Sequence, residues 1–462
     1  MTSTSEEIGR EARKAVPRSS HGDWTPVGDR DLVARLIDEQ EADRLESLLP
    51  IRHERMSASS FAFYRGSAVI QAADLASQPN TGLTVQCCGD AHLANFGGYA
   101  APDRDLVFDL NDFDETNRGP FEWDVKRLAV SFVLASRSTD PDEAKTSDLI
   151  RHLVRAYREA IASFASMRVL DVWYSRLDTT QIITDMRHEM SAENEKRFDK
   201  NVSKAMKKNS LKAFSKLTEA SGDGRRIISD PPMLVPLRDM DTGLTVGDEV
   251  AWMQDIFDQY ASSLQPHCRA LFHSYRPVDT ARKVVGVGSV GTRCWIAFLV
   301  GRTDNDPLFL QVKEANRSVL EPHTEDSPYA NHGERVVEGQ RLLQASSDIL
   351  LGWFAAPDIH GVERHFYVRQ LWDGKLSPDY EAMGPRELAV FAELCGRTLA
   401  RAHARSGDPV AISAYLGTGD TFDEAIAEYS LAYARQNDLD YQTMVDRWST
   451  GSASSTEDGL ST

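Results

Sequence analysis

No stretch of this chain approaches the roughly 18–20 consecutive apolar residues of a membrane-spanning helix. Cysteine is scarce. Cys87, Cys88, Cys268, Cys294 and Cys395 form no C-x-x-C pair and no finger-type spacing, which excludes a zinc module or disulfide framework and suits a reducing compartment. Positive charge is in deficit, with 52 Lys and Arg against 70 Asp and Glu and a net charge of -18. That balance argues against general binding to nucleic acid or an anionic membrane, which need a basic face. The N-terminus, MTSTSEEIGREARKAVPRSS, lacks the apolar centre of a secretory signal, and no internal repeat is present. These absences predict a cytoplasmic protein that binds neither nucleic acid nor a membrane, and they set no oligomeric state.

What is present divides into unlike regions. Residues 1–27 and 449–462 are polar and read as flexible ends. From 28 to 280 the pattern is mostly helical, as in DLVARLIDEQEADRLESLL and WDVKRLAVSFVLASR. Two short buried strands, LTVQCCGD and DLVFDLNDF, run into acidic loops. The basic segment 185–220 reads as a solvated helical pair. Across 281–375 the runs ARKVVGVG, TRCWIAFLVG, PLFLQVKEA and HFYVRQLW predict a small antiparallel sheet of about five strands, interrupted by the helix HGERVVEGQRLLQASSDIL. Residues 376–448 are helical again.

Chemistry concentrates where the early strands end. One loop reads Cys88-Gly89-Asp90-Ala91-His92-Leu93-Ala94-Asn95, and the other places four carboxylates, Asp109, Asp112, Asp114 and Glu115, within seven residues. Like charges that close raise one another's pKa unless a cation neutralises them. A hard divalent ion with oxygen ligands, including an Asn amide oxygen, is the natural compensation. His92 reads as a hydrogen-bonding residue of its loop, since an oxygen-rich set suits Mg²⁺ better than Zn²⁺.

C-G-D-A-H-L-A-N resembles the H-G-D-x-H-x-x-N loop of aminoglycoside and choline phosphotransferases. N-D-F-D-E and F-E-W-D-V-K-R-L-A are similar to the two stretches that follow it in those enzymes. The resemblance implies Asp90 as catalytic base, Asn95 and Asp112 as Mg²⁺ ligands, and Asp124 as a brace for the loop. Asp109 or Asp114 is left as a possible sharer of the metal. Cys88 departs from the pattern, which has His there and uses it to support the loop.

A second signal is Gly286-Val-Gly288-Ser-Val-Gly291. G-x-G-x-x-G serves both dinucleotide turns and kinase phosphate loops, but a dinucleotide site needs a helix to begin in the motif. Here a strand follows, so the glycines cap a hairpin. LFLQVKEA then resembles the kinase lysine strand and puts Lys313 where ATP phosphates are gripped. Glu338 is the expected ion-pair partner of Lys313, with Glu334 second. Backbone groups of Gln370, Leu371 and Trp372 are expected to meet adenine. Arg52, Arg55 and Arg65 are expected either to bind phosphate or an acidic substrate or to pair with the acidic cluster.

The order of these parts is rotated relative to ordinary kinases. The expected fold is therefore α+β: a protein-kinase-like bilobal fold in circularly permuted order, with a small antiparallel sheet lobe and a large, mostly helical lobe. Either SSFAFYRGSAVIQAADLA or ELCGRTLARAHARSG would supply the helix that leads to the base loop. Over about 28–440 the chain also resembles a bacterial family known only as domain of unknown function 2252, through RMSASSFAFYRGSA, CGDAHLANFG, FDLNDFDETNRGPFEWDVKRLA and RVVEGQRLLQASSDILLGW. The expectation for function is an ATP- and Mg²⁺-dependent phosphotransferase acting on a hydroxyl of a small molecule or natural product. Transfer of AMP, activation of a substrate for ligation or dehydration, and a non-catalytic nucleotide-binding module stand as alternatives.

Overall fold

The computed structural model describes residues 4–457 apart from 27, 29, 138–141, 178–194, 197–199, 201–209, 223, 242–245, 304, 359–360, 372–375 and 377. Trp372 and most of the expected helical pair over 185–220 lie outside the described residues.

Helices open the chain: α1 (Ser5–Ala15), α2 (Asp31–Glu41), α3 (Leu49–Met56), α4 (Ser60–Gly66) and α5 (Ala68–Ala76). Local chemistry sets their starts. Pro lies in the first turn of α3, where its missing N–H is no loss. The Ser59 hydroxyl caps α4 by accepting the Ala62 N–H. Four short strands follow, β1 (Thr84–Cys87), β2 (Phe96–Ala100), β3 (Leu106–Leu110) and β4 (Asn117–Pro120). They form two antiparallel ribbons, β1 with β4 and β2 with β3. β1 and β3 are the two runs legible as strands; β2 (FGGYA) and β4 (NRGP) carry too much glycine and proline to signal one.

The next helix, α6 (Phe121–Ser136), is buried at every residue, as expected of a helix at the centre of a core. Around it the chain adds α7 (Glu143–Ala165) and α8 (Val169–Tyr174), and later α9 (Ser210–Leu217), β5 (Thr218–Ser221), β6 (Gly224–Ile227), β7 (Leu234–Pro236), α10 (Val246–Ser263) and α11 (Pro266–Phe272). Then come β8 (Arg276–Lys283), β9 (Cys294–Val300), β10 (Pro307–Glu314), α12 (His332–Leu343), β11 (Gly352–Pro357) and β12 (Glu363–Gln370). The chain closes with α13 (Pro385–Ser406), α14 (Pro409–Leu416) and α15 (Thr421–Glu457).

The fold is α+β, a mostly helical region with small antiparallel sheets. The largest sheet has six strands in the order β11-β12-β10-β9-β8-β7, one more than the sequence reading. The additional pairing is β7, from Leu234–Pro236, against β8. β8 itself begins at Arg276, so a boundary at 280/281 cuts through a strand. Side chains alternate across this sheet. Ile296, Phe298 and Phe309 pack with Ala213 and Leu217 of α9 on one face, whereas Ala297, Leu299 and Leu310 pack with Ile256, Phe257 and Tyr260 of α10 on the other.

Helix occupies part of each segment read as a tail. Gly9 of α1 lies so close to α14 that an added Cβ would sit 2.1 Å from the Ala411 carbonyl oxygen. Arg13 donates to the Tyr415 carbonyl at 2.7 Å and Arg18 to that of Leu416. Two cations thus satisfy orphan acceptors at the end of α14, which composition alone does not reveal. At the other end α15 continues to Glu457. No described helix is long and apolar enough to cross a membrane.

Candidate functional site

β1 ends at Cys87, and the loop that follows is held from beneath by α6. Asp124, in the first turn of that helix, accepts the backbone N–H of Cys88 at 2.6 Å and of Gly89 at 3.0 Å. His403 of α13 lies 3.3 Å from the same carboxylate and 2.8 Å from the Tyr157 hydroxyl. Gly89 adopts φ +84°, and a Cβ there would lie 2.1 Å from the Glu115 carbonyl oxygen; the position requires glycine on both counts. The loop turns Asp90 toward a cleft, with Oδ1 taken by the Arg127 guanidinium at 2.8 Å. His92 Nε2 is 3.6 Å from Asp90 Oδ2. Burial drives the His92 pKa down to about 4, so the ring is neutral near pH 7. Asn95 donates its amide to the Asp90 carbonyl at 2.8 Å, which leaves its oxygen as the side chain's remaining acceptor.

The second acidic loop follows β3. The Cys88 thiol lies 3.2 Å from the Asp112 carbonyl oxygen and donates to it, tying the two loops together. Burial holds that thiol well above its ordinary pKa, so the proton stays on sulfur. Lys313 of β10 reaches down to this loop, 2.5 Å from Asp114 and 3.5 Å from Asp112. Burial disfavours its ammonium, but Asp112 and Asp114 outweigh that and hold its pKa well above the ordinary value. Tyr367 donates to the other Asp114 oxygen at 2.6 Å. Asp109 is different. It is fully buried, paired with Arg401 at 2.5 Å and bonded by the Ala345 N–H, so its carboxylate is committed to structure. Of the two carboxylates considered as sharers of a metal, only Asp114 faces the cleft.

Above these loops the glycine turn joins β8 to β9. Gly286 and Gly291 have φ +66° and +91°, in the region that only glycine enters freely. Gly286 and Gly288 line the cleft, whereas Gly291 turns against the side chain of Arg44. Three arginines hold the turn by its carbonyls. Arg44 donates to Gly288 and Val290, Arg52 to Gly288, and Arg55 to Gly286. Neither reading of Arg52 and Arg55, as phosphate ligands or as partners of the acidic loops, describes them: Arg52 is sealed and paired with Glu41. Arg65 does line the cleft.

Two other expectations are corrected. Glu338 is not the partner of Lys313; it pairs with Arg341 at 2.7 Å. The packing of α12 sets its rotation, so Gln340 and then Gln344, one turn on, face the pocket beside Lys313. Gln340 is nearly sealed, and its side-chain oxygen has no hydrogen-bond partner. At the end of β12, the N–H of Gln370 is bonded to Asp348 at 2.6 Å and that of Leu371 to the Phe309 carbonyl at 2.9 Å. Neither N–H is free for adenine.

The cleft therefore gathers Asp90, Asn95, Asp112, Asp114, Gly286 and Gly288 around about 430 Å³. A space of about 280 Å³ that shares Asp112, Gly286 and Ser289 extends from it past Lys313 and Gln340 to Gln370 and Leu371. Arg44 and Tyr367 join this site without any local sequence signal, and Arg127 and Ser289 join it from within stretches read for other residues. Among the described residues, no group of three or more His, Cys, Asp or Glu side chains is arranged to hold a metal ion. Comparison with curated proteins and with solved structures yields no match. A family model described as an uncharacterized protein conserved in bacteria, DUF2252, matches residues 44–447. With most of its length covered by that match, the chain belongs to the DUF2252 family.

Proposed function

We propose that this chain is an ATP- and Mg²⁺-dependent phosphotransferase with a protein-kinase-like, bilobal architecture in circularly permuted order, acting on a hydroxyl of a small molecule or natural product. The observation that carries the reading is the contact of Lys313 with Asp112 and Asp114. It joins a strand behind a glycine turn to an acidic loop some 200 residues earlier. Phosphoryl transfer is mostly positioning and charge neutralisation, and it needs a lysine, metal-holding Asn and Asp groups and a carboxylate near the acceptor. In this reading Asp90 accepts the hydroxyl proton, oriented by Arg127. Asn95 and Asp112, with Asp114 beside them, would hold Mg²⁺, and Lys313 would exchange carboxylate contact for phosphate. The donor set fits: Mg²⁺ takes one or two protein carboxylates and completes its shell with phosphates and water. Bound MgATP would supply the transferred group and, in its Mg²⁺, a cation to take the place of the Lys313 ammonium beside Asp112 and Asp114. Support for the permuted order comes from α13, whose Ser406 hydroxyl accepts the N–H of Gln86 in β1, so a late helix meets the start of the base-loop strand.

One observation favours a second reading. Because the N–H groups of Gln370 and Leu371 are already bonded, the direction of a nucleotide in the cleft is not imposed by them. Transfer of AMP, or activation of a substrate through it, fits a nucleotide presenting its α-phosphate.

The experiment incubates the protein with MgATP and a hydroxyl-acceptor panel and identifies products by mass spectrometry. Phosphoryl transfer yields ADP and a phosphorylated product, whereas adenylyl transfer yields AMP-bearing product and pyrophosphate. Asp112→Asn is expected to lose at least about a hundredfold in turnover with unchanged circular dichroism. Wild-type turnover by Asp112→Asn sinks the assignment. Saturable ATP binding with no turnover on any acceptor would favour a nucleotide-binding module instead.

A further inference from the structure

The face of the six-stranded sheet turned away from Lys313 is only partly covered by α10. Between sheet and helix lies a cavity of about 380 Å³, within the roughly 300–1,000 Å³ of small-molecule pockets. Trp295 of β9 stands opposite Val312 of β10 and beside Arg282 of β8. In the middle of such a sheet these positions are ordinarily sealed. Here Trp295 and Val312 are the one residue of each strand left incompletely buried. Ile256 and Phe257 of α10 form part of the roof.

Arg282 decides what would fill this space. Its Nε is shut off from solvent and has no hydrogen-bond partner. Burial lowers its pKa, and no carboxylate among the described residues opposes that. The other charged groups at the cavity differ. Arg293 is paired with Glu314 at 3.1 Å and Asp358 at 3.6 Å, Asp358 also meets Arg364 at 3.0 Å, and Asp241 is exposed at the rim. A half-buried cation without a counter-charge, set in an apolar wall, is costly. An anion seated beside it removes that cost, and an apolar body attached to the anion covers Trp295 and Val312.

We propose that this cavity is a second binding site, which takes an amphipathic monoanion with its apolar chain or ring between α10 and the sheet and its carboxylate on Arg282. The site lies across the sheet from the cleft and does not depend on the phosphotransferase reading.

Decanoate is the probe. Titrated into the full chain below its micellar concentration, it is expected to change tryptophan emission saturably, bind one equivalent by calorimetry and raise the melting temperature. Arg282→Gln, which removes an unpaired charge, should fold, melt no lower than the wild type and weaken decanoate binding about 10- to 100-fold. Val312→Phe keeps the arginine but fills the floor, and it should also weaken binding. Decyltrimethylammonium, a cation of equal chain length, should not bind saturably. The proposal is overturned if decanoate shows no saturable binding, if Arg282→Gln binds it as tightly as the wild type, or if the cation binds equally well.

Discussion

The two faces of the six-stranded sheet handle positive charge in opposite ways. On the cleft face, Lys313 is sealed yet meets Asp112, Asp114 and the Tyr367 ring. Arg369 donates to the Asn111 carbonyl and to Gln311. On the α10 face, Arg282 is half-buried with neither a carboxylate nor an acceptor for its Nε among the described residues. Where the chain carries its own counter-charge, the cation holds two regions of the fold together. Where no described residue supplies one, the cation costs the fold stability, and an anion bound beside it would offset that cost.

The comparison can be broken most forcefully at Lys313. Lys313→Met removes the ammonium that Asp112 and Asp114 share, and we expect a loss of about 3 kcal/mol in urea denaturation, at the low end for a buried pair because both carboxylates retain some solvent. Added Mg²⁺ should restore part of that loss in the variant. Lys126, a buried cation away from the sheet, extends the contrast. It is as sealed as Lys313 but, among the described residues, meets only the Gln78 amide oxygen and the Tyr429 ring at close range. Burial takes its pKa from 10.5 down to about 8 against a weaker pull from Glu122. The cost of that charge is complete below pH 8 and fades as pH rises toward 10.5, where the unfolded chain also loses the proton. Wild-type stability should therefore rise by about 2 kcal/mol relative to Lys126→Met across that interval. A flat difference between the two titrations would contradict it.

Smaller effects follow. Tyr367→Phe keeps the ring beside Lys313 and removes only the bond to Asp114, a loss of about 1 kcal/mol. Arg282→Gln should leave stability unchanged or raise it by up to about 1 kcal/mol. A loss there as large as at Lys313 would mean that the two faces are not different in kind.

The parts of the site written as contiguous motifs were the legible ones. Gly89, Asp90 and Asn95 sit on one loop whose spacing carries its meaning, and Asp124 lies at the expected place to brace it. Lys313 was legible through the likeness of LFLQVKEA to the kinase lysine strand, following a glycine turn. Glu338 was not, because a helix sequence names its charged residues but not its rotation. Packing against Phe366 and Thr116 at Gly333 and Gly339 fixes α12 so that Gln340 faces inward. The arginines on the glycine turn were illegible for another reason. Arg44, Arg52 and Arg55 bind carbonyls more than 230 residues away, and nothing near them in the chain says so. β2 and β4 escaped because their pairing partners, rather than their own composition, make them strands.

The three guanidinium contacts to the turn between β8 and β9 have a kinetic consequence. Charge-assisted bonds to main-chain oxygens fasten that turn to α3 and to the link between α2 and α3, so it does not rise as an independent flap. Whatever enters or leaves beneath it must wait for the N-terminal helices to shift as well. In the phosphotransferase reading, departure of the spent nucleotide, rather than bond-making, would then govern the pace of each cycle.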